Sequence, residues 1–381
     1  MSFIGNLLIA KQILAPVLAF MVSFFAMPII IRIAVKKELV AKPNHRTSHK
    51  GRIPNIGGVS IFIGFTIALL FAVNISLYPS FQYFLLGLIF MFFIGLRDDI
   101  LILSARKKFL GEIIAILAFV VLGDIRITNL HNFFGIGEIH YTFSILLSVL
   151  VCLVIINALN LIDGIDGLAS GIGIIASLFF GICFLLIGNV MNNQLAIVAL
   201  SLFGALVPFF IYNVFGTRNK IFMGDAGALC LGFIIALLSI EFCEVNLAST
   251  NLFNLDTAPI IVVSVLILPL FDTFRVFIIR MSQGKSPFKP DKNHLHHNLL
   301  ALGFTHKKAT SILLGFTGLF IAISLLGNAL PRWVLLVIIV GLAVIFSEFL
   351  KIKLKNKQTR ERNIRMPYNP HISDIHENVI N

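Results

Sequence analysis

Long apolar stretches separated by short polar ones run the length of the chain. None alternates with the period of two that marks a half-buried strand. A helix needs about 20 mostly apolar residues to cross the hydrocarbon layer of a bilayer. Eleven stretches are candidates: 12–34, 55–74, 80–96, 109–123, 142–160, 169–188, 193–212, 226–243, 258–281, 310–327 and 331–350. Several are short or abut a neighbour, so ten crossings is the alternative count. Backbone polar groups in lipid must be satisfied within their own segment or in a closed barrel, and continuous apolar runs favour helices. The expected fold is all-α: a polytopic membrane bundle of about eleven helices in one domain over 1–350, followed by a loosely ordered basic polar tail over 351–381. The run after Lys11 is too long for a cleavable signal and lacks a small-residue cleavage site, so it reads as the first span.

Composition agrees with this pattern. Of the 381 residues, 58% are hydrophobic and only 13% charged, and 37 are Phe. A soluble domain carries about 25% charged residues. Charge then orients the bundle. If the loop 35–54 lies inside, 24 of the 30 Lys and Arg fall on that side or in the tail. The positive-inside rule accordingly places the N-terminus outside and the C-terminus in the cytoplasm. The net +12 becomes a basic cytoplasmic rim suited to anionic headgroups and anionic substrates rather than to nucleic acid. The four cysteines fall within predicted spans with no CxxC, which supports neither a disulfide frame nor a zinc site.

The chemistry gathers in four clusters that the topology puts on that same side. They are Arg97-Asp98-Asp99; Asn157-Ala-Leu-Asn160-Leu-Ile-Asp163-Gly-Ile-Asp166-Gly; Phe222-Met-Gly-Asp225-Ala-Gly; and Asn293-His294-Leu-His296-His297. Carboxylates at a bilayer edge are costly unless paired, hydrated or metal-bound. Asn157, Asn160, Asp163 and Asp166 are spaced by three, which on a helix stacks four oxygen-bearing side chains on one face. Gly164 and Gly167 argue instead for a tight turn there. Hard oxygen donors suit Mg²⁺, with Mn²⁺ as the alternative. Asp98 and Asp99 would point about 100° apart on a helix, one towards a metal or nucleophile and one towards a neighbour. Asp225 stands at a helix N-terminus, either as a plain cap or as a cation holder. The histidines beside Lys289, Lys292, Lys307 and Lys308 could clamp a diphosphate, or form a solvated loop face. Asp272, with Arg275 at i+3, reads as an internal ion pair or as lining of the cytoplasmic cavity.

These clusters, together with Pro43-Asn-His-Arg46, His49 and Pro54-Asn-Ile-Gly-Gly58, resemble the polyprenyl-phosphate N-acetylhexosamine-1-phosphate transferases, the superfamily that includes WecA, TagO and MraY. The similarity runs from about Lys42 to Phe304. It implies Mg²⁺-dependent transfer of a sugar 1-phosphate from a UDP-sugar to a polyprenyl phosphate at the inner face of a bacterial cytoplasmic membrane, with release of UMP. By that resemblance Asp225, with Asn160, holds the metal. Asp98 orients or deprotonates the lipid phosphate, with Asp99 as its partner, and Asp163 and Asp166 serve the nucleotide and diphosphate. Phe222 stacks on uracil, and Arg46, His49 and Lys108 sit near the phosphates. Asn157 belongs with the substrate-binding set, and His294, His296 and His297 with sugar recognition. Leu295 interrupts the histidine run of the muramyl-pentapeptide branch, which favours N-acetylglucosamine. Ala228 replaces the family's commoner small hydroxyl residue. A homodimer is compatible with the sequence. The competing readings are a transporter or flippase, and a CDP-alcohol phosphotransferase, whose Asp run is missing here.

Overall fold

The computed structural model describes residues 3–41, 53–101, 103–133, 135–248, 255–284 and 294–365. Every predicted span falls on helix. In chain order the helices are α1 (Phe3–Lys36), α2 (Gly58–Ala72), α3 (Phe81–Leu101), α4 (Ala105–Leu117), α5 (Tyr141–Ile162), α6 (Leu168–Ile187), α7 (Val190–Phe215), α8 (Gly224–Ala248), α9 (Ala258–Val265), α10 (Ile267–Ser282), α11 (Leu295–Ala301), α12 (His306–Leu326) and α13 (Arg332–Arg365). Among the described residues, seven helices are long and apolar enough to cross a membrane by themselves. The pair α9 and α10, bent by 77°, makes an eighth if it counts as one span. Of the other expected spans, α2 has only 15 residues, α3 ends in charged residues, and α4 runs into a π-turn at Ala118–Leu122. Two short antiparallel ribbons complete the fold: β1 (Val40–Ala41) with β2 (Ile53–Pro54), and β3 (Asn129–Phe133) with β4 (Ile136–Glu138).

The bundle is built around α8, whose apolar length is almost wholly enclosed by α2, α3, α5, α6 and α9. Lipid gives helices no hydrophobic reason to associate, so close backbone approach and dispersion must hold them together. Small residues provide that approach. A Cβ on Gly204 would lie 2.1 Å from the Pro16 carbonyl oxygen, and one on Gly58 would lie 2.1 Å from the Gly227 nitrogen. Phenylalanines fill what remains: Phe233 of α8 packs against Phe84 and Phe119 at ring centroids 5.7 and 5.1 Å apart. Phe25, Ile29, Leu70, Phe93 and Leu146 face outward, as a lipid-facing surface requires.

The two ends of the bundle differ. At one end Glu244 of α8 accepts from the Thr128 amide, holding the β3–β4 ribbon, and Tyr78 donates to Glu241 at 2.7 Å. The other end gathers the C-termini of α1, α3, α5, α7 and α10 with the N-termini of α4, α8 and α12. The polar clusters are there. Part of the expected loose tail is ordered: α13 continues to Arg365, and Lys357 donates to the Ala301 carbonyl at the end of α11. Residues 366–381 lie outside the described residues.

Candidate active site

The site starts from the N-terminus of α8. Gly224 has φ +73°, and a Cβ there would lie 2.2 Å from the Asn55 carbonyl oxygen and 2.7 Å from Asp99 Oδ2. Only glycine fits both the backbone conformation and the space. The segment before it is pinned by three backbone hydrogen bonds: Phe222 N–H to Pro54 O, Gly57 N–H to Phe222 O and Gly58 N–H to Met223 O, at 2.8, 2.9 and 2.8 Å.

Asp99, on the last turn of α3, caps α8. Its two oxygens accept the amides of Asp225 and Ala226 at 2.8 and 3.0 Å, and Asn55 Nδ2 donates to it at 3.2 Å. A carboxylate satisfying the free amides of a helix start is favourable in hydrogen bonding and in the helix dipole. Gly95, one turn earlier, allows this contact, because a Cβ there would meet Ala226 Cα at 2.4 Å. Burial raises the Asp99 pKa to about 7; the two amide bonds oppose the shift, and the charges of Asp225 and Asp98 add to it.

Asp98 points elsewhere, as adjacent helical positions must. Its Oδ1 accepts the Leu103 amide at 2.6 Å and its Oδ2 lies 3.0 Å from Lys108 Nζ. That same ammonium reaches Asp225 Oδ1, which also accepts from Asn160 Nδ2 at 2.8 Å. Residues from α3, α4, α5 and α8 therefore converge on one charged centre. Burial works against the Lys108 charge, but Asp225 and then Asp98 outweigh it and raise its pKa above the ordinary lysine value.

The second cluster divides in two. Helix α5 ends at Ile162, so the expected four-residue face stops after Asn160. Asp163 is its C-cap and stays with the charged centre. Burial, then the charges of Asp225, Asp99 and Asp166, push its pKa well above the carboxylate range. Asp166 turns away: Lys220 Nζ donates to its Oδ2 at 2.6 Å, His306 Nδ1 lies 3.6 Å from the same oxygen, and Thr310 holds its backbone carbonyl. The cause is the left-handed Gly167, φ +77°, whose amide is bound by the Asn213 side chain. Lys220 also lies 5.8 Å from the half-buried Phe222 ring, so Asp166 and Phe222 share one flank of the site.

The histidines differ from expectation. His296 is 2% exposed and lies against Gly164, where a Cβ would meet its Nε2 at 2.5 Å. Burial, then the neighbouring His297, lowers its pKa to about 3, which works against the cationic form that a phosphate clamp needs. Its ring stacks on His294 at 5.5 Å and meets His297 at 4.2 Å. His294 Nδ1 is 2.9 Å from Asp272 Oδ2, while Asp272 Oδ1 accepts the Leu295 amide at 3.1 Å and Arg275 at 2.8 Å. Asp272 is thus a buried anchor for the histidine segment, closer to the ion-pair reading than to a cavity lining. Asp272→Asn leaves buried donors facing another donor. It is expected to cost about 1–3 kcal/mol, read as a lower thermal midpoint together with weaker nucleotide-sugar binding by calorimetry.

Arg46, His49, Lys285, Lys289, Lys292 and Asn293 lie outside the described residues. The β1–β2 ribbon brings Ala41 beside Ile53 at this end. Sequence reasoning missed Glu112, Lys220 and His306 as site residues. Glu112 had a signal: it is the one acid inside the predicted span 109–123, and an ionisable residue within a span marks function by default.

Residues 81–243 match glycosyl transferase family 4. The chain is 32% identical over 322 residues to the decaprenyl-phosphate N-acetylglucosaminephosphotransferase of Mycolicibacterium smegmatis, covering 79% of this chain and 78% of that one. It is 29% identical over 311 residues to the undecaprenyl-phosphate alpha-N-acetylglucosaminyl 1-phosphate transferase of Yersinia pestis, covering 80% and 82%. The protein of that name from Escherichia coli K12 is 29% identical over 313 residues, covering 81% and 82%.

Proposed function

We propose that this chain, which belongs to the polyprenyl-phosphate N-acetylglucosamine-phosphotransferase group of glycosyl transferase family 4, transfers N-acetylglucosamine 1-phosphate from UDP-N-acetylglucosamine to a polyprenyl phosphate. It is a membrane-embedded transferase, and the reaction would start the assembly of a lipid-linked cell-envelope glycan. The observation that carries the reading is the meeting of Asp98, Lys108, Asn160 and Asp225 where four apolar helices end, the depth at which a bilayer lipid presents its phosphate.

The chemistry is a displacement at the sugar-bearing β-phosphorus. A lipid phosphate oxygen forms the new P–O bond, the bond from that phosphorus to the bridging oxygen breaks, and UMP leaves with that oxygen. Such reactions ask a protein mainly for positioning and charge neutralisation. Asp98 is placed to orient the lipid phosphate and accept a proton from it; the second ionisation of a phosphate lies near neutrality, so little basicity is needed. Lys108 is a fixed positive charge between the two anions. Asn160 orients the Asp225 carboxylate. Phe222 and Lys220, the latter held by Asp166, form the flank suited to a uracil ring and its phosphates. Their end of the bundle faces the cytoplasm in this reading, supported by the basic loops and tail.

The donor set fits a hard divalent ion. Mg²⁺ characteristically takes one or two carboxylates together with substrate phosphates, and Asp98 and Asp225 already converge on one cation, the Lys108 ammonium. Among the described residues no group of three or more His, Cys, Asp or Glu could hold a metal alone, so the diphosphate would complete the shell. Asp225 with Asn160 would hold the ion, and when bound it supplies neutralisation of charge developing on the diphosphate. Excess EDTA is therefore expected to abolish lipid labelling by purified protein, with Mg²⁺ or Mn²⁺ restoring it. A panel of UDP-sugars in the same assay should single out UDP-N-acetylglucosamine. Full activity in EDTA would remove the metal from the proposal, and preference for another sugar would reassign the donor.

A further inference from the structure

Glu112 is 1% exposed, in the middle of a helix otherwise apolar beyond its first turn, and the proposed reaction does not use it. Its Oε2 accepts from Asn157 Nδ2 at 2.8 Å, across 45 residues of sequence. The same Asn157 nitrogen also donates to the Leu153 carbonyl one turn back, at 3.0 Å. A carboxamide nitrogen carries two hydrogens, so both donors of Asn157 are spent inside the protein. The polar group it retains for anything else is the carbonyl Oδ1.

The placement of the pair gives this meaning. Glu112 lies one turn after Lys108 on α4, and Asn157 one turn before Asn160 on α5. Residues three or four apart share a helix face. The two helices are thus joined by two polar rungs: Lys108 and Asn160 meet at Asp225, and directly beneath them Glu112 meets Asn157. Carboxylate and carbonyl oxygens accept these hydrogen bonds, so Glu112 and Leu153 together hold the Asn157 amide in one orientation.

We infer that Glu112 is a positioning residue that fixes the direction of the Asn157 carboxamide, so that the floor of the phosphate site presents a neutral oxygen acceptor beneath Asp225 instead of an N–H. The inference rests on the proposed transfer reaction. An acceptor oxygen there serves a cation or a sugar hydroxyl, whereas an inverted amide serves neither. Glutamine at 112 has the same size but carries both a donor and an acceptor, so it keeps the packing and leaves the Leu153 carbonyl alone to hold the direction.

Exchange of the two side chains tests this in the purified full-length protein. Glu112→Gln is expected to lower kcat by about five- to a hundredfold, the range for one misdirected polar contact, with little change in thermal midpoint. Asn157→Asp sets two carboxylates against each other and should lose at least as much. In the double variant E112Q/N157D the new carboxamide at position 112 donates to the new carboxylate at position 157, and an acceptor oxygen returns to the same place. The carboxylate at 157 is charged and faces the Leu153 carbonyl with no hydrogen to give, so kcat should exceed that of Asn157→Asp by about tenfold without reaching wild type, a pairwise coupling. A merely structural pair would lose thermal stability in step with activity. Wild-type kcat in E112Q, or a double variant no better than the worse single one, would overturn the positioning role. If the wild-type chain makes no lipid product at all, the transfer reading itself fails, and the two failures are distinguishable.

Discussion

Asp225→Asn is expected to reduce turnover by a thousandfold or more, equivalent to about 4 kcal/mol of transition-state stabilisation, while the protein still inserts and folds. The separation is possible because the structural bonds at the start of α8 belong to the backbone: the amides of residues 225 and 226 donate to Asp99 whatever side chain stands at 225. What asparagine removes is the negative charge that faces Lys108 and Asn160. Both donors reach the same oxygen, Oδ1, which an asparagine carbonyl can replace, so the loss is of charge and not of the neutral contacts. The check pairs UMP release under saturating substrates with size-exclusion profile and thermal midpoint. Substantial Mg²⁺-dependent UMP release by the variant would remove Asp225 from the charged centre of the reaction.

The second large effect comes from a residue with no chemistry of its own. Gly224→Ala should reduce activity by at least about a hundredfold, because a left-handed non-glycine backbone costs about 1–2 kcal/mol and the new methyl group has no space. It would lie 2.2 Å from the Asn55 carbonyl oxygen and within 2.8 Å of both Asp99 oxygens. One of these is backbone, bracketed by the hydrogen-bonded segment 54–58, and cannot swing aside as a flexible side chain would. The strain is relieved by moving Asp99 off the α8 amides, which displaces Asp225. Loss of activity should therefore come with weakened UDP-sugar binding. A Gly224→Ala protein with wild-type kcat/KM would mean that the α8 N-terminus is not the fixed point of the site.

Much of the site was legible because each polar group interrupts an apolar run near its end, where hydrophobic pattern alone gives no reason for it. Asp98, Asn160 and Asp225 are of this kind, and their helices bring them together as their positions imply. The exceptions have physical causes. The place where α5 stops, and hence the departure of Asp166 from the Asn157–Asn160 face, depends on Gly167 and on Asn213 from a different helix. The burial that lowers the His296 pKa includes its packing against Gly164. Glu112 is concealed within a span because its partner is remote in sequence. Spans were legible as helices, but not which would be long enough to cross alone: α9 and α10 bend by 77° just before Pro269, and α2 has only 15 residues.

The transfer claim turns on which bond is broken, and an isotope reports it directly. Purified protein in lipid nanodiscs would be given undecaprenyl phosphate, Mg²⁺ and UDP-N-acetylglucosamine carrying ³²P in the β-phosphate. Transfer of sugar 1-phosphate carries the label into butanol-extractable lipid, releases unlabelled UMP, and reverses when UMP is added. Label left in UDP while sugar enters the lipid, or label that never enters lipid at all, would contradict the account.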